Sequence, residues 1–163
     1  MALAFIDTNI LLRHLRGDHA DHSPKATALL SRIERGELEA RLSDMVIFET
    51  VFMLERSYSV PKAQIRDALL ALLALPGLVL QGKRRYLRIF DLYVDHNLPF
   101  GDAYIAAEME HAEATALYSF DREFDRLPGV TRLEPVGDLP NEDGRGSRHP
   151  SPACVRRGMT GEG

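Results

Sequence analysis

Four acidic residues stand where acids are not expected. Asp7 closes an apolar segment in "FIDTNILLR" (5–13), and the apolar run resumes just beyond it. Glu49 sits in "MVIFETVFML" (45–54), a stretch that is otherwise almost wholly apolar. On a helix it lies four residues after Met45 and three before Phe52, which predicts a face that packs inward. An unpaired ionised carboxylate on such a face is costly and favours taking up a proton. Asp102 stands just ahead of an apolar-periodic helix in "LPFGDAYIAAEMEHA" (98–112). Asp121 lies just past a strand in "ALYSFDREFD" (116–125), beside Ser119 and ahead of Glu123 and Asp125. Taken singly, each acid has an ordinary reading. Glu49 could reach water at the rim of its face or pair with an arginine. Asp102 could be a helix N-cap stabilising by about 1 kcal/mol, and Asp121 a cap or a solvated turn residue. Taken together, they are all-oxygen ligands. Two carboxylates about 4 Å apart repel by ~4 kcal/mol at an effective dielectric of 20, and protons or a divalent cation relieve this. With no His or Cys in the set, the donors suit Mg²⁺ or Mn²⁺ rather than zinc. His14, His19 and His22 crowd one region without a zinc-ligand spacing and read as surface residues.

The elements that must position these acids alternate. "LAFI" (3–6) predicts a short buried strand, with Thr8 or Asn9 capping a helix that ends near Gly17. Ser23, Pro24 and Gly36 punctuate a second helix as N-cap, first residue and stop. "ARLS" follows as a strand, with Ser43 or Asp44 capping a helix over 45–58. Further helices are predicted from Pro61 to Leu75, over 83–96, and from Asp102 to about 112. Strands are predicted at 78–80, 115–120 and near 130–133, with a short helical turn at "REFDRL". This alternation predicts an α/β fold with a central, mostly parallel sheet and helices on both faces. Ligands of such sheets bind beyond the carboxyl ends of the strands. Asp7 and Asp121 stand at such ends, Asp102 opens a helix toward the same edge, and Glu49 is close enough to lean over it.

The chain of 163 residues, 45% hydrophobic and 27% charged, suits one globular domain. Its net charge of −4 excludes a globally basic nucleic-acid binder, so such binding needs a local patch. The single cysteine, Cys154, forms no internal disulfide and fits a reducing, cytoplasmic setting. The N-terminal apolar stretch is too short for a signal peptide and meets Asp7 at once. "LLALLALPGLVL" (69–80) is broken by Pro76 and Gly77, well short of the roughly 20 residues that span a bilayer. From Asp138 the texture turns rich in Gly, Pro, Ser and Arg, which predicts a domain over 1–137 and a disordered tail over 138–163.

"FIDTNILLR", the helical Glu of "VIFETVFML", "LPFGDAYIAA" and "LYSFDREFDRLPGV" resemble the four acidic motifs of PIN-domain ribonucleases. Within that superfamily they are most similar to VapC-type toxins of bacterial toxin–antitoxin pairs. The resemblance spans about residues 3–136. It implies Asp7, Glu49, Asp102 and Asp121 as the catalytic and metal-binding set. Thr8 and Ser119 correspond to supporting hydroxyls, and Glu123 to a position often acidic in relatives. The implied activity is Mg²⁺-dependent endoribonuclease chemistry, with Mn²⁺ as a substitute. The implied partners are an RNA substrate, a cognate antitoxin and a second copy of the chain in a homodimer. Arg13, about one and a half turns beyond Asp7, and the run Lys83, Arg84, Arg85 and Arg88 are candidates for phosphate contacts. The 83–88 run reads equally well as a solvated helix face. A haloacid dehalogenase-type phosphatase also begins from an Asp after a first strand, but needs a second acid two residues on, where this chain has Asn9. A non-catalytic metal- or RNA-binding module of the same fold is the alternative function.

Overall fold

Hydrogen bonding in the structure, a computed structural model, arranges residues 2–135, which are the residues it describes. The elements are β1 (Ala4–Phe5), α1 (Thr8–Arg16), α2 (His22–Glu34), β2 (Ala40–Arg41), α3 (Asp44–Phe52) and α4 (Lys62–Leu73). They continue as β3 (Leu78–Val79), α5 (Arg85–Val94), α6 (Phe100–His111), β4 (Ala116–Tyr118) and β5 (Thr131–Leu133). A π-helical turn, Met53–Ser57, extends α3, and a 3₁₀ turn, Arg122–Arg126, links β4 to β5. The tail expected from Asp138, with Cys154, lies outside the described residues.

Among the described residues the strand pairs are parallel, as the alternation of strands and helices predicts. Ala4 faces Ala40, and Ala40 faces Leu78, giving a three-stranded sheet in the order β1-β2-β3. Leu117 faces Arg132 in a second sheet of β4 and β5. The strands are thus divided between two sheets rather than joined in one. Each strand is only two or three residues long, and the bonds of β4 are made with β5: Ser119 N–H donates to Leu133 O at 3.0 Å. β1 also differs from the buried strand expected. Ile6 is buried, but Phe5 is 68% exposed, with the Arg41 guanidinium 5.9 Å from its ring centroid. The strand therefore has a wet face that its composition does not mark.

Helix boundaries follow local chemistry. Ser43 caps α3, its Oγ accepting from Val46 N–H at 3.4 Å. Gly17 ends α1 with a left-handed φ of 61°, and its N–H donates to Arg13 O at 3.1 Å. α2 begins one residue before Ser23, whose hydroxyl instead accepts from His19 N–H at 3.2 Å. Gly77 lets the turn into β3 approach α2 and the segment after it closely, since a Cβ there would lie 2.8 Å from Ile33 O and 2.3 Å from Leu38 O.

The core positions α6. Phe100, at its first residue, packs on Phe90, Tyr93 and Phe48, with ring centroids 5.3, 5.4 and 5.0 Å away. Phe90, Tyr93 and Ile89 of α5 are fully buried, as are Ile47 and Val51 of α3 within 1% exposure. The N-terminal turn of α6, which carries Asp102, is thereby fixed against α3 and α5. Lys62 at the start of α4 reinforces the same corner, its ammonium donating to Leu98 O at 2.8 Å and lying 4.6 Å from the Tyr93 ring centroid.

Candidate active site

Asp7 stands at the N-cap position of α1, directly after β1, but its side chain makes no capping bond. Its Oδ2 instead accepts from Asn9 Nδ2 at 3.1 Å, and the residue is exposed. The next residue, Thr8, is buried, and its hydroxyl donates to Glu49 Oε2 at 2.6 Å. One short bond thus ties the first acidic motif to the second across 41 positions of sequence. It also sets the orientation of the Glu49 carboxylate.

Glu49 does not lie on an inward face. It is exposed, and so are its helical neighbours Met45, at 72%, and Phe52, at 61%. The buried side of α3 is formed instead by Ile47, Thr50 and Val51. The helix is apolar nearly all round, so periodicity could not tell its two sides apart.

Asp102 departs from the expected N-cap. Pro99 holds that position, and Asp102 is the third residue of α6. Its carboxylate therefore caps nothing, and its Oδ2 is buried without a hydrogen-bond partner. Burial first, then the charges of Asp121 and Glu123, push its carboxyl above the usual aspartate range. Asp121 caps the 3₁₀ turn, its Oδ1 accepting from Glu123 N–H at 2.9 Å. Ser119 supports it, its Oγ accepting from Asp121 N–H at 3.0 Å. Glu123 is ion-paired to Arg126, and Asp125 to Arg132 at 2.8 Å.

By their contacts the predicted residues form two groups: Thr8, which follows Asp7, bonds Glu49, and the charges of Asp121 and Glu123 act on Asp102. Among the described residues, no three His, Cys, Asp or Glu side chains stand together closely enough to hold a metal ion. The donors nonetheless fit a hard divalent cation in type, being carboxylate oxygens throughout. The buried, partnerless Asp102 Oδ2 is an atom that such a cation would satisfy.

Four of the five basic candidates are otherwise engaged, and the exposed Arg84 is the exception. Arg13 pairs with Asp18 at 2.9 Å. Lys83 donates to Leu75 O and Leu78 O at 3.4 and 3.0 Å, which holds the turn into β3. Arg85 and Arg88 bridge α5 to Glu108 and Glu110 of α6, at 2.6 and 2.8 Å. In the 83–88 run these three cations serve the fold. Two side chains near the acids were missed as structural partners. Asn9 was expected only as a cap, and Arg126 carried no signal beyond its spacing of three from Glu123.

Residues 4–130 match the PIN domain family, and the chain belongs to that family. PIN domains are a nuclease fold that acts on nucleic acids and generally binds divalent metal. No curated protein matches the chain. No helix among the described residues is long and apolar enough to cross a membrane.

Proposed function

We propose that this protein is a Mg²⁺-dependent endoribonuclease and the toxin of a VapBC-type toxin–antitoxin pair, acting in the cytoplasm as a homodimer. The observation that carries the metal-dependent reading is the stranded Asp102 Oδ2, buried without a partner beside the negative charges of Asp121 and Glu123. A purely structural aspartate would have been capped, paired or exposed. Asp7, Glu49, Asp102 and Asp121 would hold the cation. When bound, the cation would lower the pKa of an attacking water and offset charge on the phosphodiester oxygens. The chain's own residues set the geometry. Asn9 orients Asp7 through its amide, Thr8 orients Glu49 through its hydroxyl, and Ser119 fixes the backbone at Asp121. The RNA strand would be held by cations near these acids, of which the half-exposed Arg13, on the helix that follows Asp7, is the candidate once released from Asp18.

A toxin needs a partner that covers its site. An antitoxin arginine suits the exposed carboxylates of Asp7 and Glu49, because a guanidinium meets a carboxylate with two parallel bonds. The second reading is a non-catalytic binding module, and it is favoured by the finding that no three acids among the described residues stand closely enough to hold a metal ion. Matched expression of wild type and Asp7→Asn decides between them. Under the toxin reading, wild type arrests growth with fragmented RNA, and the variant does neither. Equal arrest by both would remove metal-dependent cleavage as the cause.

A further inference from the structure

The 3₁₀ turn presents three acids in alternation, Asp121, Glu123 and Asp125, and the structure treats each differently. Asp125 is held by Arg132, which also donates to Ser119 O at 3.0 Å and pairs with Glu134. Glu123 is held by Arg126, one helical step further along the same turn. Asp121 is paired with no basic side chain among the described residues, and neither is Asp102. The two arginines thus subtract two acids from this half of the site and leave two.

Arg126 is anchored on both sides. One guanidinium nitrogen meets the Glu123 carboxylate, and the other donates to His96 O at 2.6 Å. His96 lies in the segment between α5 and α6, and α6 carries Asp102. The same side chain therefore ties the turn bearing Asp121 to the segment that opens onto Asp102. An arginine held by a backbone carbonyl has lost part of its rotamer freedom already, so its ion pair forms at a smaller entropic cost.

We propose that Arg126 is a built-in counter-ion that keeps Glu123 out of the metal ligand set. Glu123 is close enough for its charge to act on Asp102, yet its carboxylate is committed to the guanidinium. The cation would meet Asp102 and Asp121 on this side, with Glu123 held in reserve. Arg126 is a positioning residue in this account, since it acts through Glu123. The inference rests on the metal-dependent nuclease reading, and it determines which acids that reading uses.

The test is a Mn²⁺ titration of the full chain, with free Mn²⁺ followed by electron paramagnetic resonance at neutral pH and low salt. A half-exposed ion pair anchored on a second side corresponds to roughly a three- to fivefold factor. Arg126→Gln should bind Mn²⁺ tighter by about that factor, while Glu123→Gln alone should stay within about twofold of wild type. In the double variant the gain should vanish, because the freed ligand is gone. If the gain survives in the double variant, Arg126 acts only as a distant positive charge. If Arg126→Gln binds no tighter, Glu123 is not withheld. Either result overturns the proposal. Arg126→Lys guards against a misfolded Gln variant, checked by circular dichroism. It keeps the charge, loses the two-sided hold and should give a smaller gain with the same dependence on Glu123. Wild type that binds no Mn²⁺ would defeat the nuclease reading itself and this inference with it.

Discussion

Replacing Asp102 by Asn should stabilise the metal-free protein, which is the opposite of what loss of a helix cap would do. Asp102 carries a shielded oxygen without a partner and faces two further negative charges. Repulsion among partly screened carboxylates is of the order of 1 kcal/mol. The stranded oxygen adds about 1 kcal/mol more. Asn removes the first cost and offers its amide N–H groups to the acidic neighbours, relieving part of the second. With a discount for solvent screening, a net gain of about 1 kcal/mol corresponds to a rise of roughly 3–5 °C in thermal midpoint. The gain depends on pH. The raised value of Asp102 means that the native state holds this proton more tightly than the unfolded chain. The stability linked to that proton is full below the unfolded value, near pH 4, and is lost as pH rises through the raised native value. The variant's advantage in chelator should therefore be small near pH 4 and complete by pH 7. Differential scanning fluorimetry across that range reads it directly. A variant less stable than wild type at pH 7, or an advantage that ignores pH, would show that Asp102 is an ordinary structural residue.

Thr8→Val should cost about 1 kcal/mol in a urea melt, because the bond to Glu49 is lost while the buried volume is kept; Thr8→Ser should recover most of it. Phe100→Ala should cost about 3–5 kcal/mol by the same measurement, since the ring anchors the first turn of α6 against α3 and α5. Tyr86 is buried and donates to Asp44 Oδ1 at 2.6 Å, and burial followed by that bond pushes its phenol well above the tyrosine range. Stability tied to that proton is lost as pH rises above about 10, so wild type should lose stability in alkali more steeply than Tyr86→Phe. At pH 7 the same variant should be about 1–2 kcal/mol less stable, because Asp44 loses its donor.

The alternation of strands and helices, the Ser43 cap and the short turn after β4 were all legible, because each depends on local spacing and on residues with strong positional preference. Membership of the PIN family was legible through the resemblance carried by the four acidic motifs, and the family match spans residues 4–130. The orientation of α3 was not. Met45 and Phe52 are as apolar as Ile47 and Val51, so nothing in their types marks which side meets water. The cap of α6 was misplaced by three positions because Asp and Pro are both good helix-start residues, and Pro99 rather than Asp102 took it. The basic run at 83–88 showed charge but not its partners. Glu108 and Glu110, which engage Arg85 and Arg88, lie on another helix and become neighbours only when α5 packs on α6.

The account stands on Asp7 and Glu49 acting with Asp102 and Asp121 on one cation, although among the described residues no three acids stand closely enough to hold one. The direct measurement is Mn²⁺ affinity for wild type, Asp7→Asn, Glu49→Gln, Asp102→Asn and Asp121→Asn, each paired with cleavage of a structured RNA in Mg²⁺ and in chelator. Loss of one carboxylate ligand should weaken binding by about tenfold or more for members of both groups, and cleavage should fall with it. Chelator should abolish cleavage by wild type. If Asp7→Asn and Glu49→Gln bind Mn²⁺ as wild type does while Asp102→Asn and Asp121→Asn do not, the first group is no part of the metal site. The four-carboxylate account would then be wrong.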